Sequence, residues 1–227
     1  MKVGVFQKPG TKRSFKSNFK KHNLTLNSKN PEVVISYGGD GTFLLAEKKY
    51  PGVPKLLIKH SKICKKCSVG NLNHLLEDLS KGNYNIENLI KLEVKAKKRS
   101  LIGVNDIVLR NYLLTEALRF SVKIKGKTNY FIGDGIVVAT PYGSTGYFNS
   151  ITNSSFKKGI GLAFNNLIGN FSFLLLPENG EIEIKIQRGE ALVAADNNRK
   201  SIKIGSGDVV KIGKDRQSTG VVRIKGH

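Results

Sequence analysis

Short apolar runs separated by turn formers dominate the chain, and their rhythm changes part-way along. Residues 2–6 read as a short first strand, and the polar, basic stretch up to Asn30 is expected to hold a helix around residues 14–22. Residues 33–36 are a β-branched run and predict a second strand. That run leads straight into Tyr37-Gly38-Gly39-Asp40-Gly41-Thr42 and then into Phe43-Leu44-Leu45-Ala46-Glu47-Lys48-Lys49, a helical pattern stopped by Pro51-Gly52. Residues 55–59 predict a third strand and residues 72–79 another helix. Strand, loop, helix and strand in this order imply a parallel sheet with helices on its faces.

From Leu89 onward the pattern shortens to alternating apolar and polar positions. Strands are expected at 91–95, 106–109, 120–125, 135–139, 171–175, 181–186, 191–194, 200–204, 209–212 and 221–224, punctuated by Gly, Asn and Asp. The expected fold class is therefore an N-terminal Rossmann-like α/β domain over residues 1–95 and a C-terminal β-sandwich-like domain over residues 96–213. Residues 214–227 are expected to pack back on the first domain.

Composition narrows the function classes. The 227 residues carry 38 Lys+Arg against 17 Asp+Glu, a net charge of +21, which favours polyanionic partners. The basic residues are mostly lysines in scattered pairs, without the Arg-rich stripe or interleaved aromatics of a dedicated nucleic-acid module. Neither nucleic acid nor membrane is expected as a partner. No run approaches the ~20 apolar residues of a membrane span. The opening MKVGVFQKPG reads as a strand rather than a signal peptide. Two cysteines cannot form a disulfide framework in a chain of this size, so cytoplasm is the expected location.

Three short segments carry candidate chemistry. In Gly38-Gly39-Asp40-Gly41-Thr42 the glycines allow positive φ and close backbone approach, and the N–H groups of the following helix suit phosphate. An acid inside such a loop repels phosphate unless it works on a metal or a proton, which makes Asp40 a candidate base. The plain alternative is a tight turn with Asp40 as a helix N-cap. Gly133-Asp134-Gly135, a strand, and then Thr140-Pro141-Tyr142-Gly143-Ser144-Thr145-Gly146-Tyr147 place hydroxyls and free backbone groups where a base edge can be read, with Tyr147 able to stack. A wide β-connection rich in turn formers has the same composition. Asn105-Asp106, before a strand, offers an amide and a carboxylate to a diol such as a ribose, or simply makes a turn.

Taken in order, these motifs resemble those of the NAD kinases, which phosphorylate the adenosine 2′-hydroxyl of NAD. The resemblance runs over residues 33–210. It implies that Asp40 is the catalytic residue and that Gly39, Gly41 and Thr42 contact phosphates. It puts Asn105 and Asp106 on the NAD ribose, and Thr145, Gly146 and Tyr147, with Ser150, around adenine. Asp134 matches the acid opening that segment, and Asp196 in Ala194-Ala195-Asp196-Asn197 matches a later family acid. The implied reaction uses Mg²⁺, or another divalent metal, with ATP or polyphosphate as phosphoryl donor, and the implied assembly is a homodimer or homotetramer. No protein metal ligand is assigned. The same Gly-Gly-Asp-Gly loop occurs in kinases for lipid or sugar hydroxyls, and a non-catalytic polyanion- or nucleotide-binding protein would also carry a charge of +21.

Where the family carries an Asn-x-Gly-x-Leu-Gly-Phe stretch, this chain has residues 59–67, Lys-His-Ser-Lys-Ile-Cys-Lys-Lys-Cys. His60, Cys64, Cys67 and His74 make up a zinc ligand count of four, though not at the spacing of a standard finger. The preferred reading is a solvent-facing or half-buried cysteine pair, made redox-sensitive by neighbouring lysines.

Overall fold

Every residue from Val33 to Gly38 is buried, as expected only of a strand covered on both faces. In this computed structural model, which describes residues 1–60, 64, 66–68, 70–169 and 171–225, that strand lies inside the first of two units. The first unit comprises Met1–Leu89 and Ser218–His227, the second Ile90–Gln217.

The first unit contains β1 (Lys2–Gln7), α1 (Lys16–Lys21), β2 (Thr25–Leu26), β3 (Val33–Gly38), α2 (Asp40–Lys49), β4 (Lys55–Lys59), α3 (Leu72–Lys81), β5 (Tyr84–Leu89) and, from the far end of the chain, β18 (Thr219–Ile224). Its sheet runs β2-β1-β3-β4-β18-β5, with β5 antiparallel to β18 and every other pairing parallel. The period of two divides β3 between the faces. Val33, Ile35 and Tyr37 pack with Phe15, Phe19, Leu75, Leu76 and Leu79 from the α1 and α3 side, while Val34 packs with Ala46 and Tyr50 at α2. A buried ion pair fixes α2 from below. Lys55 Nζ donates to the Glu47 carboxylate and to the Tyr50 carbonyl (2.7 Å), and Thr219 Oγ1 donates to Glu47 at 2.6 Å.

The second unit is all antiparallel. One sheet orders β10 (Lys127–Gly133), β9 (Leu118–Ile124), β14 (Ile182–Arg188), β17 (Val209–Lys214), β6 (Leu92–Ala96) and β7 (Arg99–Gly103). The other orders β13 (Phe173–Leu176), β12 (Ile160–Asn165), β11 (Gly135–Ala139), β8 (Asp106–Asn111), β15 (Ala191–Ala195) and β16 (Ser201–Ile204). Their inner faces share one core that includes Leu92, Ile107, Leu109, Phe120, Ile136, Val138, Ile184 and Val193, which makes the unit a β-sandwich. A short 3₁₀ turn (Gly143–Thr145) and α4 (Tyr147–Thr152) follow β11 and are anchored by Phe148 against Ala139, Ala163 and Phe156. The expected fold class, an α/β domain with a β-sandwich, describes these units. Among the described residues no helix is long and apolar enough to cross a membrane.

Candidate active site

In the first unit the Gly-Gly-Asp-Gly-Thr loop sits at the carboxyl end of β3, where parallel sheets present their ligand sites. Gly39 caps α2 and Asp40 is its first helical residue, so Asp40 does not serve as the cap. The glycines do not use the positive φ that the sequence allows them: Gly38, Gly39 and Gly41 are absent from the left-handed set. Close approach explains Gly38 instead, because a Cβ there would fall on the Thr42 hydroxyl. That hydroxyl accepts from Gly39 N–H at 3.4 Å and closes the first turn. The helix N-terminus so built is one to which an anion is attracted, and the half-buried Asp40 stands at its mouth.

Two neighbours of this loop carry no sequence motif of their own. Arg13 donates from Nη1 to Tyr37 Oη at 2.9 Å and lies over the Tyr37 ring, and His60 stacks on the same ring with 4.6 Å between centroids. His60 N–H also donates to the Gly38 carbonyl at 2.8 Å. Tyr37, the last-but-one residue of β3, thus gathers two cationic or titratable side chains beside the phosphate-type loop.

The cysteine segment differs from its expected place. Cys64 and Cys67 are buried, joined as a disulfide, and approach the loop: Cys64 Sγ lies 3.6 Å from Asp40 Oδ1 and Cys67 Sγ 3.9 Å from the Gly38 carbonyl oxygen. Among the described residues the ligating atoms that cluster are those of Asp40, Cys64 and Cys67, all within 4.8 Å of one another. His60 and His74 are not part of that cluster, so the four-residue zinc set is not what the fold assembles.

In the second unit the remaining motifs converge at one end of the β8–β11 pair, where Asp106 opposes Ala139. The Asp196 carboxylate accepts three backbone N–H groups, from Val104 (2.9 Å), Asn105 (2.7 Å) and Asp106 (3.3 Å), and holds the turn entering β8. Asp196 itself is left-handed (φ 50°), a conformation Asp tolerates better than most residues. Thr140 ties the second motif to the same turn: its N–H donates to the Asn105 carbonyl (2.9 Å) and its hydroxyl to the Val104 carbonyl (2.6 Å). Gly143 is obligatory here, since a Cβ would overlap the Asn105 carbonyl. With its backbone so occupied, Asn105 leaves Oδ1 buried without a hydrogen-bond partner. Such an atom is costly unless a ligand answers it. Thr145 and Gly146 are exposed beyond the turn, and Tyr147 opens α4.

Not every expected residue joins this cluster. Ser150 is exposed and donates its hydroxyl to the Tyr147 carbonyl at 2.8 Å, a bond within α4. Asp134 precedes the opposite end of β11, where Gly135 pairs with Arg110; four residue steps along the strand lead from that pair to Ala139, a rise of about 13 Å. There its carboxylate accepts from Asn166 Nδ2 at 3.1 Å. Conversely, Arg110 was missed. Its Nη1 reaches Tyr147 Oη at 3.3 Å, and the alternation of β8 gives the signal, putting Arg110 on the face of Asp106 and away from core Ile107 and Leu109.

Comparison with known proteins gives the family and the fold. Residues 104–224 match the family model of the ATP-NAD kinase C-terminal domain. An NAD kinase of Sulfurisphaera tokodaii is 35% identical over 163 residues, 69% of this chain and 64% of the relative. One of Ruminiclostridium cellulolyticum is 30% identical over 212 residues, 86% of this chain and 74% of the relative. The matched stretch spans about half to two-thirds of the length of several such relatives, 64% of the Sulfurisphaera tokodaii protein and 51% of an NAD kinase of Saccharolobus solfataricus. The fold is that of an Archaeoglobus fulgidus NAD kinase solved with ATP (TM-score 0.82, 18% identity, 99% of this chain and 94% of that one). It is equally that of a yeast NADH kinase solved with NADH (TM-score 0.83, 19% identity, 97% and 82%). By its matched sequence, over more than half its length, the chain belongs to the NAD kinase family.

Proposed function

We propose that this chain phosphorylates the adenosine 2′-hydroxyl of NAD to give NADP, with Asp40 as the base. The observation that carries the reading is the position of Asp40 as first residue of a helix whose N-terminus suits phosphate. A carboxylate there opposes anion binding and is of use where a proton must be taken from an incoming hydroxyl. As Asp40 takes that proton, the 2′-oxygen bonds to the γ-phosphorus and the β–γ bridging oxygen leaves with its electron pair on the diphosphate product. The N–H groups of the loop face the charge that spreads over the transferring phosphoryl group.

The nucleoside part of the reading rests on residues of the second unit. Asn105 Oδ1, buried and unanswered, together with Asp106 suits the hydroxyls of a ribose, and Tyr147 with Thr145 and Gly146 suits adenine. Asp196 acts through the Asn105 turn that it holds. Magnesium takes oxygen ligands and usually keeps several waters, so phosphate oxygens of the donor and water would hold it, with no protein ligand assigned and Asp40 left to take the proton. When bound it neutralises charge on the donor. ATP is the favoured donor, since a protein of the same fold was solved with it, and polyphosphate is the alternative. A homodimer or homotetramer and a cytoplasmic setting belong to the same reading.

The test is NADP formation by the purified protein from NAD and Mg²⁺, with ATP or polyphosphate in parallel. Product with either donor is expected. Its absence with both, in protein shown to be folded, would overturn the assignment in favour of another hydroxyl acceptor or a binding role. Arg110→Ala tests the adenine side. Losing one hydrogen bond to Tyr147, worth about 1 kcal/mol, should raise KM for NAD roughly five-fold with kcat little changed. An equal fall in kcat and kcat/KM would instead put Arg110 in the chemical step.

A further inference from the structure

We propose that Cys64, Cys67 and Asp40 form a site for a zinc-class cation, open when the cysteine pair is reduced and closed by the disulfide. The site stands on its own geometry; its effect on catalysis rests on the reading of Asp40 as the base.

The donors are those a borderline-soft divalent ion takes: two thiolates and a carboxylate. Cys-x2-Cys is a spacing at which one short loop delivers two sulfurs to one ion. The separation of the third donor also fits. With Zn–S near 2.3 Å and Zn–O near 2.05 Å at a tetrahedral angle, sulfur and oxygen on one ion stand about 3.5 Å apart. Cys64 Sγ and Asp40 Oδ1 stand 3.6 Å apart. Sulfurs sharing an ion are about 3.8 Å apart, so the bonded pair must first be cleaved. Rotation of the two side chains on Cα atoms 5.7 Å apart provides that separation. All three side chains come from the first unit; both cysteines are buried and Asp40 is half-buried.

The chemistry closes without an unnamed partner. A dithiol reductant supplies two electrons and two protons: the S–S bond breaks, two S–H bonds form, and the dithiol becomes a disulfide. The entering cation displaces both thiol protons to solvent and takes an Asp40 oxygen as third ligand, leaving a fourth position to water or phosphate. Asp40 then has its carboxylate held by the ion and cannot take the hydroxyl proton. Oxidation of the pair by a disulfide expels the ion and frees Asp40. Residues 59–67, which replace the family's Asn-x-Gly-x-Leu-Gly-Phe stretch, thereby give this chain a metal- and thiol-dependent restraint on its own base.

The test uses the full chain, prepared either fully reduced or fully oxidised. Each form receives one equivalent of Zn²⁺, is desalted, and has its bound metal counted; Co²⁺ is used in parallel to report thiolate-to-metal charge transfer. One metal per reduced chain and none per oxidised chain are expected. Cys64→Ser/Cys67→Ser, nearly isosteric, should bind none, and Asp40→Asn with both cysteines present should bind at least tenfold more weakly. Zn²⁺ should lower NADP formation tenfold or more in the reduced protein, reversibly with a chelator, and leave the double-serine variant at its basal rate. Equal metal binding by both redox forms, or by Asp40→Asn and the unaltered chain, would overturn the proposal. Reduced chain that binds no metal would do the same. Metal binding as expected in protein that makes no NADP under any condition would uphold the site and count against the kinase reading alone.

Discussion

Replacing Asp40 by Asn is expected to lower NADP formation by about 10²–10⁴-fold, the range a positioned general base contributes. Asn keeps the shape of the side chain and the first turn of α2, which is closed by Thr42 and Gly39 rather than by residue 40. What it loses is the capacity to accept a proton. It also removes a negative charge beside a phosphate-type loop, so ATP binding measured by calorimetry should stay equal or tighten. Lost turnover with retained nucleotide binding is the result that assigns the proton transfer to this residue. A variant keeping more than a tenth of the activity would show that the hydroxyl is deprotonated elsewhere.

The second large effect is on stability. Lys55 is fully buried and its ammonium is held by Glu47 and the Tyr50 carbonyl, with Thr219 donating to the same carboxylate. Lys55→Met removes one member of this set and strands the Glu47 charge, a change that costs about 3–5 kcal/mol when a buried pair is broken. The expected result is a marked fall in the urea midpoint of the first unit followed by far-UV circular dichroism. Adding Glu47→Gln, which removes the stranded charge, should recover a large part of the loss. If Lys55→Met alone cost less than about 1 kcal/mol, the pair would not be what ties α2 to β4 and β18. The activity should fall along with the stability, because the same helix begins at Asp40.

Why some of this was legible in the sequence, and some was not, follows from the physical signals. The strand into Gly38 and most of the ten strands near residues 91–224 were readable because they bury at least one face and so show a period of two or a β-branched run; β13, only partly buried, was readable from its run of large apolar residues. Strands β5, β7 and β10 escaped because most of their residues are exposed on both faces, which erases the alternation. Strand β12 escaped for the opposite reason. It is buried almost throughout, yet Gly161 and Ala163 weaken its β character; a Cβ at Gly161 would collide with Phe148 and Phe156. In the site, Asp40, Asn105 and Tyr147 lie in dense local motifs. Arg110 and Arg13 do not, since each acquires its role from a tyrosine brought to it by the fold. The approach of Cys64 to Asp40 is of the same kind: 24 residues separate them, and only the chain's path after β4 brings sulfur to carboxylate.

Strand β18 lies between β4 and β5 in the sheet of the first unit, although the whole second unit precedes it in the chain. On a ribosome adding roughly 5–20 residues per second, the second unit takes on the order of ten seconds to emerge. Through that interval β4 presents an open apolar edge and β5 waits for the strand with which it pairs. The sandwich, continuous in sequence, is free to fold first. The unit that carries Asp40 is begun earliest and completed last, so a nascent chain holds a finished β-sandwich before it has a finished α/β sheet. Until β18 emerges, that β4 edge is the part of the sheet most open to pairing with another strand.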